Sequence, residues 1–158
     1  MLSQLKQLSL DIDGRYASDA ELEFLVTYAK TFPMRFKTYQ TIQGLEDAIV
    51  QQASSTLQAR HPQVFLQGGE NLAVKWKRDT MRVLRYSAVA MLMDDPTTLR
   101  ECFLLWFQTI MRAFGAQKSC DATYEIMQQV VKQKLQPDEA LLFCPILELN
   151  RQTLGQHI

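Results

Sequence analysis

Residues 76–86 read WKRDTMRVLRY, and their apolar and charged side chains alternate with the spacing of an amphipathic helix. The same pattern extends from about Asn71 to Met93. One apolar stripe consists of Leu72, Trp76, Val83 and Ala90, flanked by Leu84, Ala88 and Met91. Apolar positions that recur every 3.6 residues are the main sequence signal for a helix with one buried face. We therefore predict a helix over this segment, with Arg78 and Asp79 in its first half.

Glycine, proline and capping residues divide the rest of the chain into further helical segments. Boundaries are expected at Asp13-Gly14, the capping box Ser18–Glu21, Phe32-Pro33, Pro62, the loop Gly68-Gly69, Asp95-Pro96, Gly115, Ser119 and Pro137. Pro145 should kink or shorten the last helix, because proline removes an intrahelical hydrogen bond. Residues 96–114 are apolar nearly all round, so they should form the most buried helix. No alternating strand pattern competes, and we predict an all-α chain of about seven or eight helices.

The composition is that of an ordinary soluble protein, and we expect one domain over residues 1–158. Seventeen basic and seventeen acidic side chains cancel, which disfavours nucleic acid as a partner. No apolar run is long enough to span a membrane, so we expect no direct membrane insertion. The first residues do not resemble a signal peptide, and the three cysteines are widely spaced. Both features favour a cytoplasmic protein with reduced thiols.

Several segments, in matching order, resemble the phycobiliproteins, the bilin-carrying light-harvesting subunits of cyanobacteria and red algae. Residues 14–22 (GRYASDAEL) are similar to a segment of allophycocyanin-type subunits, and matches continue through residues 40–53 and 61–69. The family signature Cys-x-Arg-Asp, followed by Leu-Arg, corresponds here to residues 76–79 and 84–85. The resemblance covers residues 14–115. It implies a globin-like phycobiliprotein fold with an N-terminal helical extension.

Trp76 stands where the family has the cysteine that forms a thioether to the bilin. An indole supplies no sulfur nucleophile, and its bulk falls where the first ring of the pigment would enter. The loop between Gly69 and Asp79 also resembles a shortened form of the family's. We therefore expect no covalently bound cofactor.

Arg78 and Asp79 match family residues that contact a bilin propionate and the inner pyrrole nitrogens. A carboxylate accepts N–H bonds and a guanidinium pairs with a carboxylate, so both roles fit their chemistry. Two interpretations stay open. Arg78, Asp79 and Trp76 could line a non-covalent bilin pocket, or the two charges could serve surface ion pairs or a subunit contact.

Other sites are disfavoured. The two histidines, His61 and His157, lie near a helix end and the chain end, so neither is placed as a haem ligand. No pair of metal-ligating residues has a characteristic spacing, and no paired acid and base can be named. We expect neither a metal site nor an enzyme.

Association with other proteins is the remaining hypothesis for the function of the chain. Family members use their N-terminal helices to clasp a partner subunit, and residues 2–12 would provide such a helix. The predicted docking residues are Leu2, Leu5, Leu8, Ile12, Arg15, Tyr16, Arg82 and Arg85. The alternative, that the N-terminal helix packs on its own domain, stays open.

The resemblance therefore implies a colourless protein-binding element of the photosynthetic apparatus. It would be a phycobilisome subunit or regulator, or an assembly factor for phycobilisomes or photosystems. Its partners would be phycobiliprotein subunits or assembly components, in a homo- or heterodimer, at the cytoplasmic face of thylakoid membranes. A carrier that binds a bilin or another tetrapyrrole without a covalent bond is the alternative.

Overall fold

The computed structural model of the chain describes residues 1–65 and 72–155. Within these ranges the chain is helical and contains no strand, which confirms the all-α, globin-like prediction. The helices are α1 (Leu2–Asp11), α2 (Asp19–Arg60), α3 (Leu72–Leu92), α4 (Pro96–Leu99), α5 (Leu105–Ala113), α6 (Gln117–Lys134) and α7 (Pro137–Gly155). A 3₁₀ turn covers Pro62–Phe65, and a π-helical turn, Arg100–Leu104, joins α4 to α5. The expected loop at Gly68-Gly69 lies outside the described residues.

The core is formed mainly by α6 and α7, which pack on α3 and on the second half of α2. Side chains of Leu57, Leu84, Met127 and Phe143 are fully enclosed there. Close approach of α6 and α7 depends on Gly155, because an added Cβ would lie 3.0 Å from the Cβ of Asp121. The second half of the predicted α3 stripe, Val83 and Ala90, thus lies in the core.

The predicted capping box is present, since the Ser18 hydroxyl accepts from the Glu21 amide and Glu21 accepts from the Ser18 amide. The prediction that a helix ends near Pro33 is wrong, because α2 continues through this residue to Arg60. Contacts on both sides of the proline hold the helix in line. The Tyr28 hydroxyl donates to the Leu92 carbonyl at 3.1 Å, and Arg35 donates to the Met91 carbonyl at 2.7 Å.

Pro145 does not shorten α7, because the helix runs on to Gly155. Its ring lies on the exposed side, while Phe143, Ile146 and Leu147 on either side of it are buried in the core. Burial of these neighbours stabilises helical backbone that proline alone disfavours. Ser119 is also not the predicted N-cap, since α6 begins two residues earlier, at Gln117.

The expectation that residues 96–114 form the most buried helix is wrong. Leu99, Phe103 and Leu104 are buried, but α5 contains no buried residue, and Trp106 is 54% exposed. An apolar helix favours contact with other apolar side chains, but its composition does not show whether these belong to the same chain or to a partner. This segment therefore presents aromatic surface outwards.

Candidate functional site

Trp76 points inward from the first half of α3. Its indole N–H donates to the Thr123 hydroxyl of α6 at 3.0 Å, and its ring meets Phe65 edge to face, with centroids 5.9 Å apart. The ring also packs against the main core. A bulky side chain therefore occupies the position that the resemblance assigns to the pigment-anchoring cysteine. The indole at position 76 has no nucleophilic sulfur and is used in packing.

Arg78 and Asp79 lie on the outer side of the same helix. The Arg78 guanidinium is 3.4 Å from the Asp79 carboxylate, and the two side chains are 74% and 41% exposed. A contact this long between exposed groups contributes little to stability. Both groups thus remain accessible to a partner or a ligand.

Arg85 is tied to its own chain. Its guanidinium donates to both oxygens of Glu46 on α2, at 2.7 and 2.8 Å. The hydrogen bonds and charge of Glu46 raise the pKa of Arg85. This fork bridges α2 and α3 beside a cleft of about 270 Å³, whose walls include Tyr39, Leu84 and Val89.

The start of α1 is fastened to the α3–α4 junction through Asp95. This buried carboxylate accepts from the Ser3 amide at 2.7 Å and from the Ser3 hydroxyl at 2.8 Å, and also caps α4 through the Thr98 amide. The N-terminal ammonium lies 3.6 Å away. Burial alone would raise the pKa of Asp95, but these donors outweigh it and lower the pKa to about 2.

The apolar stripe of α1 is only partly covered. None of the residues of α1 is buried; Leu2 is exposed, and Leu5, Leu8 and Ile12 are partly exposed. The first turn of this helix is therefore held by its own chain, and its stripe is partly exposed; a contact with a partner stays a prediction.

Arg15 and Tyr16 lie in the connection between α1 and α2. Arg15 forks onto Glu21 at 2.7 and 3.0 Å, and the Tyr16 side chain is 97% exposed. Hydrogen bonds from Arg15, and then from Ser18, hold the pKa of Glu21 far below its usual value. The connection is thus ordered by polar contacts while its aromatic side chain projects into solvent.

The eight predicted docking residues do not form one continuous surface. Arg15 is bound to Glu21 and Arg85 to Glu46, two positions on α2 that lie 25 residues apart. At about 1.5 Å per residue this is roughly 37 Å along the helix. Arg85, and Arg82 one turn before it on α3, therefore lie far from Arg15 and its neighbour Tyr16.

Sequence reasoning missed two exposed apolar regions. The first half of α2 has no buried residue before Thr38, and it exposes Phe32 and Phe36, which stack with centroids 6.0 Å apart. The second region, on α3 and α5, exposes Tyr86 and Trp106. The four-residue spacing of Tyr28, Phe32 and Phe36 was a readable signal for the first region. No local signal marks the second as uncovered.

Other chemistry finds little support in the described part of the chain. There, no three His, Cys, Asp or Glu side chains are grouped so that they could hold a metal ion. No helix among the same residues is both long and apolar enough to cross a membrane. All three cysteines are free, and burial raises the pKa of Cys120 to about 12.

Comparisons with known proteins agree with the resemblance. The family model for phycobilisome proteins matches residues 8–154. The allophycocyanin alpha chain of Synechocystis sp. (strain ATCC 27184 / PCC 6803 / Kazusa) is 25% identical over 112 residues, which cover 68% of this chain and 70% of that protein. The alpha chain of Thermosynechococcus vestitus (strain NIES-2133 / IAM M-273 / BP-1) is 26% identical over 112 residues, with the same coverage. The allophycocyanin beta chain of Mastigocladus laminosus is 28% identical over 135 residues, covering 82% of this chain and 83% of that protein.

Proposed function

The chain belongs to the phycobilisome protein family, and from this membership we propose that it is a phycobiliprotein-like protein without a covalent chromophore. It acts by association with other proteins in the photosynthetic apparatus, and not as an enzyme. Its partners are phycobiliprotein subunits, in the manner of a phycobilisome subunit or regulator, or assembly components of phycobilisomes and photosystems. Through them the protein is held at the cytoplasmic face of thylakoid membranes.

The observation that carries this proposal is the partly uncovered apolar surface of α1 and the first half of α2, called here the α1–α2 face. It consists of Leu2, Leu5, Leu8, Ile12, Tyr16, Phe32 and Phe36. A single chain gains no hydrophobic stabilisation from such side chains while they face water, whereas a docked partner would remove them from it. Trp76 supports the other half of the proposal, since it replaces the attachment sulfur and is used in packing.

The test mixes the purified protein with separately purified allophycocyanin alpha and beta chains and measures molar mass by gel filtration with light scattering. We expect a heterodimer with one of the two chains at micromolar concentration. Leu2→Asp should abolish it, because Leu2 is exposed in the single chain and a carboxylate there would be buried unpaired in the apolar contact. Leu141→Asp is the matched control, as Leu141 is also exposed but lies on α7. Wild-type protein that elutes alone from both mixtures would contradict pairing with these subunits.

A second candidate function is non-covalent carriage of a bilin, favoured by the exposure of Arg78 and Asp79. On this reading a free bilin would gain a red-shifted, sharpened absorption band on mixing with the protein. Asp79→Ala should remove the shift, while Asp47→Ala, an exposed carboxylate on α2, should leave it unchanged. An unchanged bilin spectrum at micromolar protein eliminates the carrier.

A further inference from the structure

A second exposed surface lies across α3 and the segment that joins α4 to α5. We call it the α3–α5 surface, and its members are Arg82, Tyr86, Val89, Phe103 and Trp106. Phe103 is buried beneath it and stacks on Tyr86 with centroids 4.4 Å apart. Trp106 leans on Phe103 at 6.1 Å and remains 54% exposed. Val89 continues the surface to the cleft between α2 and α3.

A π-helical turn sets this arrangement. Phe103 lies within Arg100–Leu104, where the wider turn shifts the following residues around the helix axis. Phe103 stacks on Phe107 of the next turn at 5.4 Å as well as on Tyr86. Helical turns of this kind recur at functional sites. The aromatic side chains are therefore held by one another and are preorganised for contact.

The α3–α5 surface combines positive charge with its apolar side chains. Helix α3 carries five basic side chains and one acidic one, although the whole chain is neutral. The Arg82 guanidinium lies over the Tyr86 ring, 6.0 Å from its centroid, and has no ion pair within the described residues. Arg78 is exposed one turn away, with only its long contact to Asp79. A concentration of positive charge beside aromatic side chains favours an acidic, apolar partner.

We propose that the α3–α5 surface binds an acidic amphipathic segment of another protein. Its apolar side chains pack on Tyr86, Val89 and Trp106, and its carboxylates pair with Arg82 and Arg78. Tyrosine, tryptophan and arginine are also the residue types that dominate the energetics of protein interfaces. The inference rests on the proposed function, because both treat the chain as a protein-binding module.

The geometry favours this occupant over nucleic acid. Phe103 already stacks on Tyr86, and the Arg82 guanidinium lies near the same ring, so Tyr86 is poorly placed to stack on a base. The neutral chain also provides no extended positive field.

The probe is a synthetic helical peptide of about 18 residues, or five turns, with leucine and phenylalanine along one face and glutamate beside it. Trp106 is the reporter, and the Trp106→Phe variant gives the fluorescence of Trp76 alone. We expect a saturable blue shift of the Trp106 emission that weakens as salt is added, because the ion pairs are exposed. Arg82→Glu should weaken binding at least about tenfold, as expected for loss of a central charged contact. Lys118→Glu makes the same charge change on α6 and should bind as wild type does.

Tyr86→Leu supplies a second variant, since it keeps an apolar side chain over Phe103 while removing the ring. It should also weaken binding, and circular dichroism will show that both variants are folded. A peptide with lysine in place of every glutamate should not bind. Equal binding of both peptides, or equal binding by Arg82→Glu and wild type, would overturn the proposal.

Two further outcomes would assign the surface to something else. Saturable binding of a single-stranded oligonucleotide in place of the peptide would make it a nucleic-acid site. A Trp106 emission that shifts with protein concentration alone would show that a second copy covers it. The Arg82→Glu protein should still form the complex with the allophycocyanin chain, which uses the α1–α2 face. If the wild-type protein does not bind the peptide but still forms the complex with the allophycocyanin chain, the proposal for the α3–α5 surface has failed. If it binds the peptide but does not form that complex, the proposed function has failed.

Discussion

At position 76 an indole joins the 3₁₀ turn after α2 to α6. It contributes an edge-to-face contact with Phe65 and a hydrogen bond to Thr123. A cysteine at this position would reach neither partner. The side chain at this position is thus a structural contact of the fold.

Substitution of Trp76 should lower the free energy of unfolding in two steps. Trp76→Phe keeps a ring beside Phe65 but loses the hydrogen bond to Thr123, at a cost of about 1 kcal/mol. Trp76→Ala also leaves a cavity and should cost about 2–3 kcal/mol, less than for a fully enclosed tryptophan. Urea denaturation followed by circular dichroism measures both values. The exposed Trp106→Phe should change stability by less than about 0.5 kcal/mol; equal effects at the two tryptophans would refute a packing role for Trp76.

The three thiols should react at different rates. Cys102 is exposed, whereas Cys120 is buried and its pKa is raised to about 12, so little of it is thiolate at pH 8. A coloured disulfide reagent should therefore modify Cys102 quickly in the native protein and Cys120 only after unfolding in urea. Cys102→Ser should remove the fast phase. Rapid modification of Cys120 under native conditions would show that α6 is more open than described.

Among the elements, α1 is attached at its start by polar contacts, chiefly through one carboxylate. Asp95 binds Ser3 of α1 and also caps α4, so a single side chain aligns two helices. The N-terminal ammonium donates to the Asp94 carbonyl as well. The stripe of α1 is only partly buried, and an isolated helix of this length is not stable in water. These polar contacts therefore hold the helix while its apolar side stays partly exposed.

Asp95→Ala should lower the free energy of unfolding at pH 7 by about 1–2 kcal/mol, because the cap of α4 and the bonds to Ser3 are lost together. The pKa of Asp95 is depressed in the folded chain to about 2. Its contribution is therefore complete above the unfolded pKa of about 3.9 and is lost as the pH falls through about 2. Urea titrations should show the difference between wild type and variant narrowing below about pH 4.

Ser3→Ala separates the two roles of Asp95, since it removes only the hydroxyl contact from α1 and leaves the α4 cap. It should cost about 0.5–1 kcal/mol. A difference between Asp95→Ala and wild type that stays constant from pH 7 to acid would contradict the assigned hydrogen bonds.

Helix starts and stops were predictable where a local chemical rule operates. Ser18 caps through its own side chain, Pro62 follows the end of α2, and Gly115 ends α5 with a φ of +63°. Helices α2 and α7 continue past Pro33 and Pro145, because tertiary contacts on both sides of each proline outweigh its local penalty. The exposure of α5 could not be predicted either. An apolar pattern does not reveal whether the side chains that bury a helix belong to the same chain.

For the candidate site, the resemblance pointed to Trp76, Arg78 and Asp79, but not to the inward packing of Trp76 or the exposure of the two charged groups. The eight docking residues were grouped by resemblance alone, whereas only the folded length of α2 shows that Arg82 and Arg85 lie far from Arg15. Distances between helices are set by packing and are not encoded in any one segment.

At the scale of the whole molecule, the chain keeps the helical architecture of its family and leaves two apolar surfaces exposed. On the proposed function the α1–α2 face receives a partner subunit, and the α3–α5 surface adds a basic border. A neutral chain with two such surfaces would join proteins together, and Trp76 would deny a pigment its covalent anchor. The account thus predicts a colourless member of a pigmented assembly.

Its most direct test is the intact mass of the denatured protein, isolated with its partners from a cell that makes bilins. We predict that the chain itself has the mass of the unmodified polypeptide, while the pigmented chains that accompany it carry their bilins. A mass increased by one tetrapyrrole, retained after denaturation, would contradict the account.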